Sequence, residues 1–131
     1  KINGTRVTVG GTFSGLSLDL LIEQNKWKDT GVEVKADHLW LTGSYALPTG
    51  SLAFNYGKLG KTEVNGVEIG DSDGTHIGVG YYHTLSKSST AYAIYSRLTN
   101  KTNAQFNMQD GATAAAGEDP SSIGVGLYTV F

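Results

Sequence analysis

Cysteine is absent from the 131 residues, which removes disulfides and thiolate metal centres. That is compatible with an oxidising envelope compartment without requiring one. No sign of charge dominates, with 10 Lys+Arg against 12 Asp+Glu, so nothing predicts an electrostatic nucleic-acid partner, which would need a basic face or stripe. No apolar run approaches the roughly 20 residues of a transmembrane helix, and no signal-peptide pattern is present. Proline and methionine are scarce, at 2 and 1. What is abundant is glycine, 18, and tyrosine, 7, a β-type usage that a soluble sandwich would share. The slightly hydrophilic mean hydropathy does not discriminate, because a barrel wall alternates apolar and polar residues and averages to such a value. Residues 1–131 are one domain's worth of chain and read as a single unit. A start at Lys1 rather than Met suggests a processed chain or a piece of a longer one.

Alternation of period two, which sends successive side chains to opposite faces of a strand, predicts seven strands: 5–13, 16–27, 34–47, 51–61, 75–85, 90–98 and 123–131. In the first, Val7, Val9 and Phe13 oppose Arg6, Thr8 and Thr12. The second sets Leu16, Leu18, Leu20 and Ile22 against Ser17, Asp19 and Glu23, with Leu21 as an exception. Leu39, Leu41, Tyr45 and Leu47 oppose His38, Trp40, Thr42 and Ser44 in the third. Leu52, Phe54 and Tyr56 oppose Ala53, Asn55 and Gly57 in the fourth, and Ile77, Val79 and Tyr81 oppose His76, Gly78, Gly80 and Tyr82 in the fifth. The last strand carries Ile123, Val125, Leu127 and Phe131 on one face, interrupted by Thr129, with Gly124, Gly126 and Tyr128 on the other.

The connections alternate short and long: Ser14-Gly15, residues 28–31 with their flanks, Pro48 to Gly50, residues 62–74, residues 86–89, and residues 99–120. Short turns then fall at one end of the sheet and long loops at the other, as in outer-membrane barrels, and segments of about 9 to 12 residues, with 34–47 somewhat longer, suit tilted membrane-spanning strands. A strand that stays apolar on one side to the end of the chain needs a reason to stay paired, and a closed, lipid-facing barrel supplies one. On this reading Leu18, Leu20, Leu39, Leu41, Phe54, Val79, Val125 and Leu127 face lipid. Arg6, Asp19, Glu23, His38, Asn55 and His76 line a wet lumen.

The terminal Phe131, with apolar residues at alternate positions before it, resembles the C-terminal strand of bacterial outer-membrane porins. There this pattern is a recognition signal for the barrel-assembly machinery. The stretch Gly78-Val79-Gly80-Tyr81-Tyr82-His83-Thr84-Leu85-Ser86-Lys87, continued by Ser88-Ser89-Thr90-Ala91-Tyr92-Ala93-Ile94-Tyr95-Ser96-Arg97-Leu98, is similar to the penultimate hairpin of general porins from β-proteobacteria. Gly124-Val125-Gly126-Leu127 matches as well. The resemblance implies a transmembrane antiparallel β-barrel, with this chain as about seven C-terminal strands of a 16-stranded one. It also implies a homotrimer in contact with outer-membrane lipid and lipopolysaccharide, a multi-pass location in the bacterial outer membrane, and no cofactor. Seven strands cannot close alone in the even-numbered bacterial pattern, and the family's constriction loop lies in its N-terminal half, outside this sequence. For residues 90–98 two registers stand. Hydrophobicity turns Tyr92, Ile94 and Leu98 outward, whereas the family's sequences turn Ala91, Ala93, Tyr95 and Arg97 outward.

Other chemistry is thin. His38, His76 and His83 lack metal-ligand spacing. Asp71-Ser72-Asp73-Gly74 begins like a calcium loop but lacks the later ligand and the closing Glu, so turn chemistry is the plainer reading. Gly78-Val79-Gly80 and Gly124-Val125-Gly126 precede no helix and are not nucleotide loops. No Gly-x-Ser-x-Gly elbow is present, and no catalytic residues are assigned. Arg6, Asp19 and Glu23 are better read as charges solvated in a wet lumen than as an acid/base set, and Trp27 and Trp40 as girdle or lumen wall. The expected function is passive diffusion of ions and small hydrophilic solutes through a water-filled channel, not enzymatic turnover. The competing classes are a soluble β-barrel or sandwich around an apolar ligand, and a small non-conducting outer-membrane barrel acting as an adhesin or structural wall.

Overall fold

A computed structural model describes residues 1–108 and 114–130. They form one antiparallel sheet of β1 (Ile2–Phe13), β2 (Leu16–Asp29), β3 (Val32–Leu47), β4 (Gly50–Val64), β5 (Val67–Glu68), β6 (Gly74–Thr84), β7 (Ser89–Asn100) and β8 (Ser121–Thr129). The order is β1-β2-β3-β4-β6-β7-β8, with the two-residue β5 folded back on β4. Each long strand pairs with its neighbours in sequence, so local hairpins build the sheet. The proposed assembly residue Phe131 lies outside the described residues.

Three turns carry the hairpin chemistry. Ser14-Gly15, Thr30-Gly31 and Asn65-Gly66 each hold two successive residues at positive φ, 48° and 83°, 39° and 87°, 51° and 81°. That is the type I′ geometry whose twist matches the flanking strands. The second and third correct the sequence reading. The connection expected over 28–31 and its flanks is only a two-residue turn, because β2 and β3 run on past the expected ends to Asp29 and from Val32. The loop expected over 62–74 contains a further hairpin, β4–β5, at Asn65-Gly66.

Strand register sorts the side chains, since directly opposed residues share a face. Leu18 opposes Gly43, which opposes Phe54, Val79, Tyr95 and Ile123 in turn. Leu20 opposes Leu41, and Leu39 opposes Ile22. Val125 opposes Ala93, and Leu127 opposes Ala91. All eight residues expected to meet lipid therefore lie on one apolar face. Val79, Val125 and Leu127 are 57%, 77% and 63% exposed there, part of a contiguous apolar surface of the kind that marks a membrane or protein contact.

At the end of the sheet opposite the Ser14-Gly15 and Pro48-Thr49 turns, the same outward face becomes ionic. Glu33 pairs with Lys26 at 3.0 Å and Lys28 at 3.3 Å, Lys35 with Glu63 at 3.4 Å and Asp37 at 3.6 Å, and Lys61 with Glu68 at 3.0 Å. These interleaved carboxylates separate Lys26 from Lys35, which stand directly opposite each other on β2 and β3. The 14, 16 and 15 residues of β2, β3 and β4 exceed the 9–11 or so that cross a bilayer. The surplus carries this ionic band.

β7 settles between the two registers. Tyr92 opposes Tyr82 and Gly126, Ile94 opposes Gly80 and Gly124, and Leu98 opposes His76. The even positions thus share the polar face, and Ala91, Ala93, Tyr95 and Arg97 point outward.

Candidate functional site

The polar face is built in rows that run across the strands. One row reads Arg6–Glu23–His38–Leu59–Gly74–Asn100, the next Thr8–Leu21–Trp40–Gly57–His76–Leu98, and the third Gly10–Asp19–Thr42–Asn55–Gly78–Ser96–Ser122. All six polar residues singled out in the sequence fall in these three adjacent rows. Arg6 donates to one Glu23 oxygen through Nε at 2.9 Å and Nη2 at 2.5 Å, and Asn25 Nδ2 donates to the other. Arg6 is 62% exposed, which limits this pair to the ~0–1 kcal/mol of a solvated ion pair. Its geometric effect is to hold a guanidinium and a carboxylate flat along the sheet. Asp19 lies across Gly10, where a Cβ would collide with its carboxylate.

Glycine sockets recur on this face. A Cβ on Gly78 would fall 2.6 Å from Asn55 Nδ2, and one on Gly57 would fall 2.6 Å from Trp40 Cε3. Large side chains therefore lie against the sheet instead of standing up from it. Trp40 tilts against the His76 ring at 5.5 Å, and His76 Nε2 bonds Ser96 Oγ at 2.6 Å. Nδ1 of His38, Nδ1 of His76 and Oδ1 of Asn55 have no protein partner among the described residues. His83 stands on the other face, bonded to the Tyr81 hydroxyl at 3.0 Å. Among the described residues no cluster of three or more His, Cys, Asp or Glu side chains could hold a metal.

At the end bearing the longer connections, two loops close together over this face. Phe106 meets His38 edge-on, with centroids 6.4 Å apart, and seats over Gly74, whose Cβ would fall 3.0 Å from Phe106 Cδ2. Asn100 is the clamp. Its Nδ2 donates to the carbonyls of Phe106 (3.0 Å) and Glu118 (2.6 Å), and its Oδ1 accepts from the Phe106 N–H at 3.1 Å. The Asp71 and Asp73 carbonyls accept from the N–H groups of Asn103 and Lys101, and Ser72 Oγ bridges the Thr62 N–H and the Ile69 carbonyl. The Asp71-Ser72-Asp73 stretch is therefore a structural junction between loops. Leu59, Leu98, Ala104 and Ala114, all under 8% exposed, are buried at this end, as are Ser72 and Asn100.

Sequence reasoning missed Asn100 and left the facing of Tyr92 and Ile94 open between two registers. A single Asn at a strand end gives no periodic signal, and the glycines that receive Ile94 and Tyr92 stand on other strands.

In sequence, residues 1–104 match the family model described as Gram-negative porin. No curated protein is significantly similar to the chain. Among solved structures, the anion-selective porin from Comamonas acidovorans superposes with a TM-score of 0.78 at 26% identity, over 99% of this chain and 40% of that one. The chain thus spans less than half the length of that porin. The two-faced antiparallel sheet, its hairpin-by-hairpin order and the match over residues 1–104 agree: this chain belongs to the Gram-negative porin family, β-barrel proteins of the bacterial outer membrane.

Proposed function

We propose that the sheet is part of the wall of a water-filled channel that passes ions and small hydrophilic solutes by diffusion. The observation that carries this is the sorting of the two faces. Arg6, Asp19, Glu23, His38, Asn55 and His76 share one, and Leu18, Leu20, Leu39, Leu41, Phe54, Val79, Val125 and Leu127 share the other. In this reading the first set lines the lumen and the second meets lipid. No bond is made or broken. Passage depends on width and on lining charge, and the glycine sockets serve width by laying Trp40 and Asn55 along the wall. Unpaired Nδ1 and Oδ1 atoms on His38, His76 and Asn55 offer hydrogen bonds to water or to solute in transit.

The strands' polar face carries one guanidinium, Arg6, against three carboxylates, Asp19 and Glu23 in the rows above and Asp29 at the end of β2. An anion preference such as the one named for the Comamonas porin would therefore have to be set outside these strands. β1 and β8 pair on one side only among the described residues, and in hydrocarbon an open edge costs several kcal/mol per unpaired group. Further strands of the same polypeptide, to a total near 16 in a homotrimer, would close them. The Ser14-Gly15 and Pro48-Thr49 end faces the periplasm, and the ionic band of Lys26, Glu33 and Lys35 reaches the lipopolysaccharide headgroups.

The test is the reversal potential of the intact protein in planar bilayers. Asp19→Lys combined with Glu23→Lys moves selectivity toward anions. An unchanged potential removes both positions from the conduction path, and an intact protein that gives no conductance steps defeats the channel reading.

A further inference from the structure

The polar face holds a second, uncharged feature toward the end with the Pro48-Thr49 turn. Tyr82 on β6 and Tyr92 on β7 stand directly opposite each other, and Tyr128 on β8 opposes Thr90 one row nearer that end. Together with Ser51 and Thr84 they line a groove of about 670 Å³, within the size range of small-molecule sites. The two paired rings lie 6.1 Å apart at 34°, tilted rather than stacked face to face.

Glycines beside the groove make room for the side chains that line it. A Cβ on Gly126 would fall 2.5 Å from Tyr92 Cζ, and one on Gly80 would fall 3.0 Å from Ile94 Cγ2 and 3.2 Å from Tyr82 Cε2. Tyr92 therefore lies down across β8, and the row above it stays shallow. None of the lining residues is an Asp, Glu, Lys, Arg or His, in contrast to the rows of Arg6, Asp19 and Glu23. Among the described residues the phenol hydroxyls of Tyr82, Tyr92 and Tyr128 make no hydrogen bond to protein.

We propose that this groove is a binding subsite for neutral saccharides, a proposal that rests on the channel reading above. A pyranose presents an apolar C–H face and a rim of hydroxyls. Aromatic faces match the first. The hydroxyls of Ser51, Thr84 and Thr90, with the free phenols, match the second as donors and acceptors alike. An anionic solute finds no cation here to offset its desolvation, so the site discriminates against anions.

The test uses the intact porin in planar bilayers with maltose added on the side of the Pro48-Thr49 turn. Maltose reduces the potassium chloride current reversibly and saturably. Tyr82→Leu and Tyr92→Leu each raise the half-blocking concentration about tenfold, the loss of roughly one aromatic face, while conductance without sugar persists. Tyr92→Phe, which keeps the ring, retains most of the block. Equilibrium dialysis of labelled maltose against the detergent-solubilised protein gives the same ranking and does not depend on conduction. Absence of both block and binding in the unaltered protein, or a block indifferent to both leucine variants, overturns the proposal even where open-channel conductance confirms the pore.

Discussion

The indole of Trp40 lies across Gly57 on the neighbouring strand, so close that a Cβ on the glycine would fall 2.6 Å from Cε3. The two oppose each other in register, and the absent side chain of one is the resting place of the other. Gly57→Val should therefore either destabilise the sheet by about 1–3 kcal/mol through overpacking or lift Trp40 off the wall and lower single-channel conductance. Unfolding midpoints and unitary conductance measured together on the intact protein distinguish these. A variant unchanged in both would mean that Trp40 has another place to lie.

Leu41 and Thr42 are adjacent in β3 and point to opposite faces. Arginine at Leu41 should cost roughly 2–4 kcal/mol, the depth-dependent cost of a cation on a lipid face, and arginine at Thr42 much less. Equilibrium unfolding from lipid vesicles measures both. Equal costs, or the reverse order, would turn the sheet inside out and favour a soluble apolar core.

The loop clamp should depend on pH. The Asp119 carboxylate accepts the Asn100 N–H at 2.9 Å and the Arg97 guanidinium at 3.1 Å, and these two, in that order, hold its pKa below the ordinary carboxylate value. A carboxyl depressed in the folded loop lends stability that is present above its unfolded pKa and lost as pH falls through the folded one. The protection of amides 114–119 against exchange should then fall below about pH 4, and Asp119→Asn should weaken that dependence. A loop whose exchange keeps the same acid response in Asp119→Asn is held by something else.

β1 and β8 each leave one edge unpaired among the described residues. A polypeptide of only these 131 residues should therefore fail to refold into a heat-modifiable species in detergent, because its open edges cannot be satisfied in hydrocarbon. A folded, heat-modifiable monomer on electrophoresis would show a small barrel that closes on itself.

Alternation in the sequence determined the two-sidedness of the sheet: Leu18, Leu20, Leu39 and Leu41 against Asp19, His38 and Thr42 follow from the period of a strand alone. The hairpin order was legible for the same reason, since turn chemistry and neighbouring strands are local. Asn65-Gly66 was equally local, a type I′ signal obscured by the polar stretch around it. Tertiary structure decided what depends on other strands. Hydrophobicity would turn Tyr92 and Ile94 outward, yet they lie on the polar face because Gly80, Gly124 and Gly126 leave room for them there. Leu98 shares that face because this end of the sheet is covered by the loop that Asn100 clamps. A side chain's preference is written in its own residue, but the space that receives it is made by residues far away in the chain.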